Sequence, residues 1–192
     1  MNRIKTTEEL YQTMRLEGIN DSQDIEKMFA EIADALFNNF VIKRGENEYR
    51  FVEIEFYHNK TDDEGKKITY ERGYTKSCDF FFHSSGVDLC FESCPDSYGG
   101  ILIRSMECNG EFIYGPGRVV DQLFDKFSSL HTPDDFPLLK SITVQEDNHI
   151  IPVASCRWIK TSEKKYKYSW PQTKWPLDAK KYKAYPWAGN NP

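Results

Sequence analysis

The chain has 192 residues, 29% of them charged, and a formal net charge of −5; it is long enough for one domain with a sizeable core, and no stretch rich in Gly, Ser or Pro divides it. No apolar run approaches a membrane span and the opening MNRIKTTEELYQ lacks the apolar segment of a signal peptide, so a cytoplasmic protein with no membrane partner is expected. Five cysteines (Cys78, Cys90, Cys94, Cys108, Cys156) are odd in number and irregular in spacing, which disfavours a disulfide scaffold, and Cys90 and Cys94 have no second pair to complete a zinc site, so no metal is expected.

Residues 21–38, DSQDIEKMFAEIADALFN, place Ile25, Met28, Phe29, Ile32, Ala35 and Leu36 at helical spacing behind an Asp21/Ser22 cap, and predict an amphipathic helix. Two alternating runs around RGENE then read as a hairpin. Its second arm, FVEIEFYHNK, puts Phe51, Glu53, Glu55 and Tyr57 on one face and Val52, Ile54, Phe56 and His58 on the other, because successive strand side chains point to opposite sides. The second face is a core face. The first is either a solvated surface or the floor of a polar pocket, and periodicity leaves both open.

The charged segment NKTDDEGKKITYERGYTK predicts an exposed loop. CDFFFHSSGVDLCFES reads as a hairpin turning at Ser-Gly, YGGILIRSMECNG as an apolar strand carrying Arg104, and EFIYG as a short strand. In GPGRVVDQLFDKF a Gly-Pro-Gly turn precedes a helix with Val119, Val120, Leu123 and Phe124 on one stripe. Such a helix start suits a phosphate, although a plain strand-to-helix corner is the commoner meaning of a lone Gly-Pro-Gly. Residues 131–159 read as a loop and two short strands, SITVQ and HIIPVASCRWI.

From residue 153 onward there are nine basic and two acidic residues, a local charge of +7 that leaves −12 for residues 1–152. Trp158, Trp170, Trp175 and Trp187 all lie there, interleaved with Tyr166, Tyr168, Tyr182 and Tyr185. Lysines between flat rings suit a nucleic-acid strand, since cations neutralise phosphates and rings stack on bases. The alternative is an extension whose rings pack on the body while its lysines stay in water.

Taken in this order, ALFNNFVIKRGENEYRFVEIEFY, CDFFFHSSGVDLCFE, GGILIRSMECNG and GPGR resemble the alkyladenine (3-methyladenine) DNA glycosylase family across residues 30–126. VEIEFY is similar to that family's V-E-T-E-A-Y strand, and GPGR to its G-P-G-K helix start. The resemblance implies a single α+β domain over residues 1–152, a curved antiparallel sheet flanked by helices, with residues 153–192 as a basic aromatic extension on or beside it. It implies a monofunctional N-glycosylase that needs no cofactor. Carried over by position, Glu55 activates water, Tyr57 lines the base pocket, Arg104 stands at its edge, and Phe82 stacks with the extruded base. A carboxylate there stabilises the sugar cation and takes a proton from water, and the base must be flipped out to be reached.

Departures from the pattern bear on the substrate. Ser85 replaces the family's hairpin-tip tyrosine, and Glu92 replaces a pocket asparagine. The family's A-H-S histidine has no counterpart; His58 lies on the wrong face, and His83 near the hairpin tip is the remaining candidate. The nucleic-acid backbone is expected along Gly115, Gly117, Arg118, Lys164, Lys165 and Lys167, the partner being DNA, single-stranded or bearing modified bases. Two other readings stand beside the enzyme: a catalytically inactive nucleic-acid-binding module that uses the tail, and a protein-interaction domain. The acidic body counts against a DNA-reading face unless the tail supplies local positive potential.

Overall fold

A computed structural model describes residues 4–16, 22–60, 68–125, 135–143, 148–157 and 164–175. Helix α1 (Thr7–Thr13) opens with a capping box, in which the Thr6 hydroxyl accepts from the Glu9 backbone N–H and the Glu9 carboxylate accepts from the Thr6 N–H. Helix α2 (Ser22–Asn39) buries Ile25, Phe29, Ile32 and Leu36, the stripe read from the sequence. Asp21 of its expected cap lies outside the described residues.

Strands β1 (Phe40–Arg44) and β2 (Asn47–His58) form the first hairpin, turning through Gly45 at φ +56°. Strands β3 (Phe80–His83) and β4 (Gly86–Cys90) form the second, and β5 (Gly99–Cys108) is the long central strand. Next come β6 (Glu111–Tyr114), helix α3 (Pro116–Phe124), β7 (Leu138–Ser141), β8 (Val153–Ser155) and β9 (Lys167–Ser169).

The strands form one antiparallel sheet in the order β3-β4-β5-β2-β1-β7, with β6 extending the β5 edge beyond β4. Residues 47–50 of β2 pair with β1, whereas Glu53, Ile54 and Glu55 pair with β9, so two strands share the β2 edge opposite β5. The architecture is α+β, a curled antiparallel sheet flanked by helices. Among the described residues no helix is long and apolar enough to cross a membrane.

One sheet face packs on α2. Phe29 stacks on Phe56 at 4.4 Å between ring centroids and meets Tyr166 edge-on at 5.1 Å, with Val52, Ile54, Ile101 and Ile103 buried around them. Truncating a buried phenylalanine in such a core typically costs about 3–5 kcal/mol. The other face is polar and is also covered.

Three segments differ from the sequence reading. Part of the charged loop is buried: Thr69 and Arg72 are each 4% exposed, because Arg72 pairs with a carboxylate on β4. The strand expected at SITVQ begins earlier, at Leu138, where Leu139 opposite Ile42 packs against the core. The tail contributes β9, which its lysine content obscured.

Candidate site on the polar face

The sheet register brings the polar face together. Glu55 lies opposite Leu102, which in turn lies opposite Asp88, so their side chains share a face with Tyr57, Arg104 and, from β9, Lys167. Bulges in the β2–β5 ladder around Glu53 bring Ser105 opposite Glu53.

Glu55 is fully buried, and its Oε2 accepts from the Tyr57 hydroxyl at 2.9 Å and from Arg104 Nη1 at 3.1 Å. Arg104 Nε also lies 3.8 Å from Glu53 Oε2, which accepts from the Ser105 hydroxyl at 3.3 Å, while Lys167 Nζ lies 3.3 Å from Glu53 Oε1. Burial, followed by the Glu55 carboxylate, pushes the Tyr57 phenol well above its ordinary range, so it acts as a donor. Arg157 lies over the Tyr57 ring at 4.8 Å and donates to the Phe56 carbonyl at 3.1 Å. The three residues expected to carry the chemistry, Glu55, Tyr57 and Arg104, thus meet at Glu55 Oε2.

A second charged cluster adjoins the first. Arg72 Nη2 lies 2.8 Å from Asp88 Oδ2, and His83 Nε2 lies 2.9 Å from Asp88 Oδ1. His83 Nδ1 accepts from the Ser85 backbone N–H at 3.2 Å, so Nδ1 is unprotonated and the ring proton sits on Nε2, donated to Asp88. The half-exposed Tyr70 ring lies on His83 at 4.4 Å, with its hydroxyl 2.9 Å from Ser84 Oγ and 3.4 Å from Ser85 Oγ.

Two glycines allow these clusters to meet. A Cβ on Gly100, the cross-strand partner of Tyr57, would lie 2.5 Å from Arg72 Nη1 and 3.0 Å from the Asp88 carboxylate. A Cβ on Gly99 would overlap the Tyr57 carbonyl. Gly100 therefore leaves room for the Arg72 guanidinium over β5 beside Asp88, and Gly99 lets β5 lie close to the backbone of β2.

Other expected site residues lie elsewhere. Phe82 is 51% exposed and meets Phe124 of α3 at 4.7 Å, and its pairing with Val87 sets it on the face opposite Asp88. Glu92 pairs with Arg15 at 2.8 Å in an exposed bridge, so the expected pocket position is a surface ion pair. His58 is buried on the other face near Ser97, at 3.4 Å. Ser85 stands at the hairpin tip with His83 and Tyr70. Gly115 caps α3 at φ +93°, and the corner packs against the hairpin, since a Cβ on Gly86 would lie 2.7 Å from Pro116 Cβ; Gly117 and Arg118 follow in the first turn, partly exposed.

In the tail, Tyr166, Tyr168, Trp170 and Trp175 are all buried. Trp170 lies beneath Arg50 at 4.7 Å and Trp175 stacks on Tyr114 at 6.0 Å, so these two tryptophans brace the sheet. Trp158, Trp187, Tyr182 and Tyr185 lie outside the described residues. Sequence reasoning missed Arg72, Asp88 and Arg157 as members of the polar face. The alternation of Phe81, His83 and Asp88 along the β3–β4 hairpin could have placed Asp88, but nothing local marks Arg72, whose partner lies 16 residues away.

No family model matches the chain. It is similar to an uncharacterized protein of Acanthamoeba polyphaga mimivirus, 28% identical over 127 residues, in an alignment that spans 53% of this chain and 59% of that protein's length.

Proposed function

We propose that this protein is an N-glycoside hydrolase of the monofunctional DNA glycosylase type, acting on a damaged or modified base. The observation that carries the reading is the convergence on Glu55. A carboxylate on a β-strand, bonded through one oxygen to a phenol and a guanidinium, is fully withdrawn from bulk water. In such a setting a fixed negative charge interacts strongly with a developing sugar cation, and the same group can take a proton from the attacking water. Tyr57 and Arg104 fix the carboxylate geometry, and Tyr57 stays protonated throughout.

Since Glu55 is buried, capture of a base requires groups packed over the face to move. Arg72 and Arg157, which lie over Gly100 and the Tyr57 ring, are those whose displacement would open the space beside it. The five cysteines, none in a disulfide, accord with a reduced cytoplasmic setting. The reading is tested by release of free base from modified oligonucleotides: wild type releases it and Glu55→Gln does not.

A second reading, a nucleic-acid-binding module without catalysis, is favoured by the internal pairing of the polar face. Glu53, Glu55 and Asp88 each contact a basic group within 3.3 Å. Such a network can serve structure alone. Binding of oligonucleotide without base release, equal in wild type and Glu55→Gln, is the outcome that selects it.

A further inference from the structure

Strand β9 divides the tail lysines between the two faces of the sheet. Lys167 turns toward Glu53 on the polar face. Tyr168, the next residue, lies on the α2 side, opposite Ile54 and Ala154 and edge-on to Phe56 at 5.5 Å. On that side a cleft of about 630 Å³ lies between the first turns of α2 and the β8–β9 hairpin, lined by Glu26, Lys27, Ala154, Lys164, Lys165 and Tyr168. Three lysines and one carboxylate line it, on a chain whose first 152 residues carry a charge of −12, and Lys164 Nζ lies over the Tyr166 ring at 5.7 Å. Burial, then Glu26 and Tyr166, push the Tyr168 phenol to about 12, so any hydrogen bond it makes to an anion is as a donor.

We propose that this cleft binds the phosphodiester backbone of a nucleic-acid strand. It is an open trough at the sheet edge, and its cations are lysines alone. Lysines act as hydrated point charges and suit successive phosphates along a strand, whereas a single tightly held phosphate is better matched by arginine forks. The uneven charge of the sequence thereby acquires a location: part of the tail supplies positive potential on the face away from Glu55. The inference deepens the second, nucleic-acid-binding reading above by giving the strand a place on the sheet, and it does not depend on Glu55 being catalytic.

The test is fluorescence anisotropy with a fluorescein-labelled single-stranded oligodeoxynucleotide over a salt series, using the full chain. Wild type is compared with Lys27→Glu/Lys164→Glu/Lys165→Glu and with Glu55→Gln, each checked for native circular dichroism and thermal midpoint. The triple variant is expected to bind at least tenfold more weakly, with a salt slope shallower by about 2, since each lost phosphate contact on a single strand contributes roughly 0.7. Glu55→Gln binds as wild type does, and an uncharged-backbone oligonucleotide of the same sequence does not bind. Equal affinity and slope in wild type and the triple variant would overturn the proposal. So would displacement of the oligonucleotide by inorganic phosphate at matched ionic strength, which would identify a free-phosphate site. Absence of base release by the wild type, with strand binding intact, would count against the catalytic reading alone.

Discussion

Arg104 Nη1 lies 3.1 Å from Glu55 Oε2, and this buried ion pair joins the two central strands across the polar face of the sheet. Both side chains are removed from water, so neither can lose its partner cheaply. Removing one member of such a pair typically costs about 3–5 kcal/mol, mostly for the uncompensated charge left behind. Arg104→Met should therefore destabilise the protein by that order in urea unfolding. Adding Glu55→Gln should recover about 1 kcal/mol or more relative to the sum of the single changes. Strict additivity would show that the pair is not coupled.

Gly99→Ala and Gly100→Ala should each destabilise the fold by different routes. At Gly100 the added methyl meets Arg72 Nη1 and the Asp88 carboxylate, whereas at Gly99 it meets the backbone carbonyl of Tyr57. Overpacking of this kind typically costs about 1–3 kcal/mol, with the backbone clash at the upper end or beyond. The thermal midpoint should fall more for Gly99→Ala, because a backbone carbonyl cannot swing aside as a side chain can.

The Tyr57 phenol supplies a pH dependence. Its folded-state value is raised well above the ordinary 10.0, so the native state keeps a proton that the unfolded chain loses as the pH rises past that value. The stabilisation is fully present below pH 10.0 and is lost as pH climbs toward the folded value. Tyr57→Phe removes the bond to Glu55 at 2.9 Å and should be less stable than wild type at pH 7. Because phenylalanine does not titrate, the gap should narrow at pH 11. A gap that widens with pH would contradict the assignment.

Truncation after residue 152 should not leave an intact body. It removes β9, which pairs with Glu53, Ile54 and Glu55, together with Trp170 and Trp175, which brace the neighbouring strands. It also strips Glu53 of Lys167 and the Phe56 carbonyl of Arg157. The truncated chain should lose its cooperative thermal transition. Retention of a sharp transition near the wild-type midpoint would mean that the tail is an appendage.

Much of this fold was legible in sequence because its signals are local. The 3.6-residue stripe from Ile25 to Leu36 marks α2, the alternation from Phe51 to His58 marks β2, and Ser84–Gly86 marks the second hairpin. The polar face was legible in part, since alternation groups Glu53, Glu55 and Tyr57 but cannot show that their face is covered. What covers it comes from afar: Arg72 in a charged loop, Lys167 and Arg157 in a basic tail, all with the composition of solvated segments. Their burial is decided by partners on β2 and β4, and pairing at that distance leaves no periodic trace. Phe82 and Glu92 illustrate the converse, where positions carried over by resemblance fall on the other face and at the surface.

The most direct measurement is chromatographic detection of free base released from oligonucleotides bearing a panel of modified bases, in single strands and duplexes, by wild type and Glu55→Gln. The account predicts release of at least one base by wild type and loss of that release, by 10²-fold or more, in Glu55→Gln, with oligonucleotide binding retained. No release by either protein across the panel, or equal release by both, would contradict it.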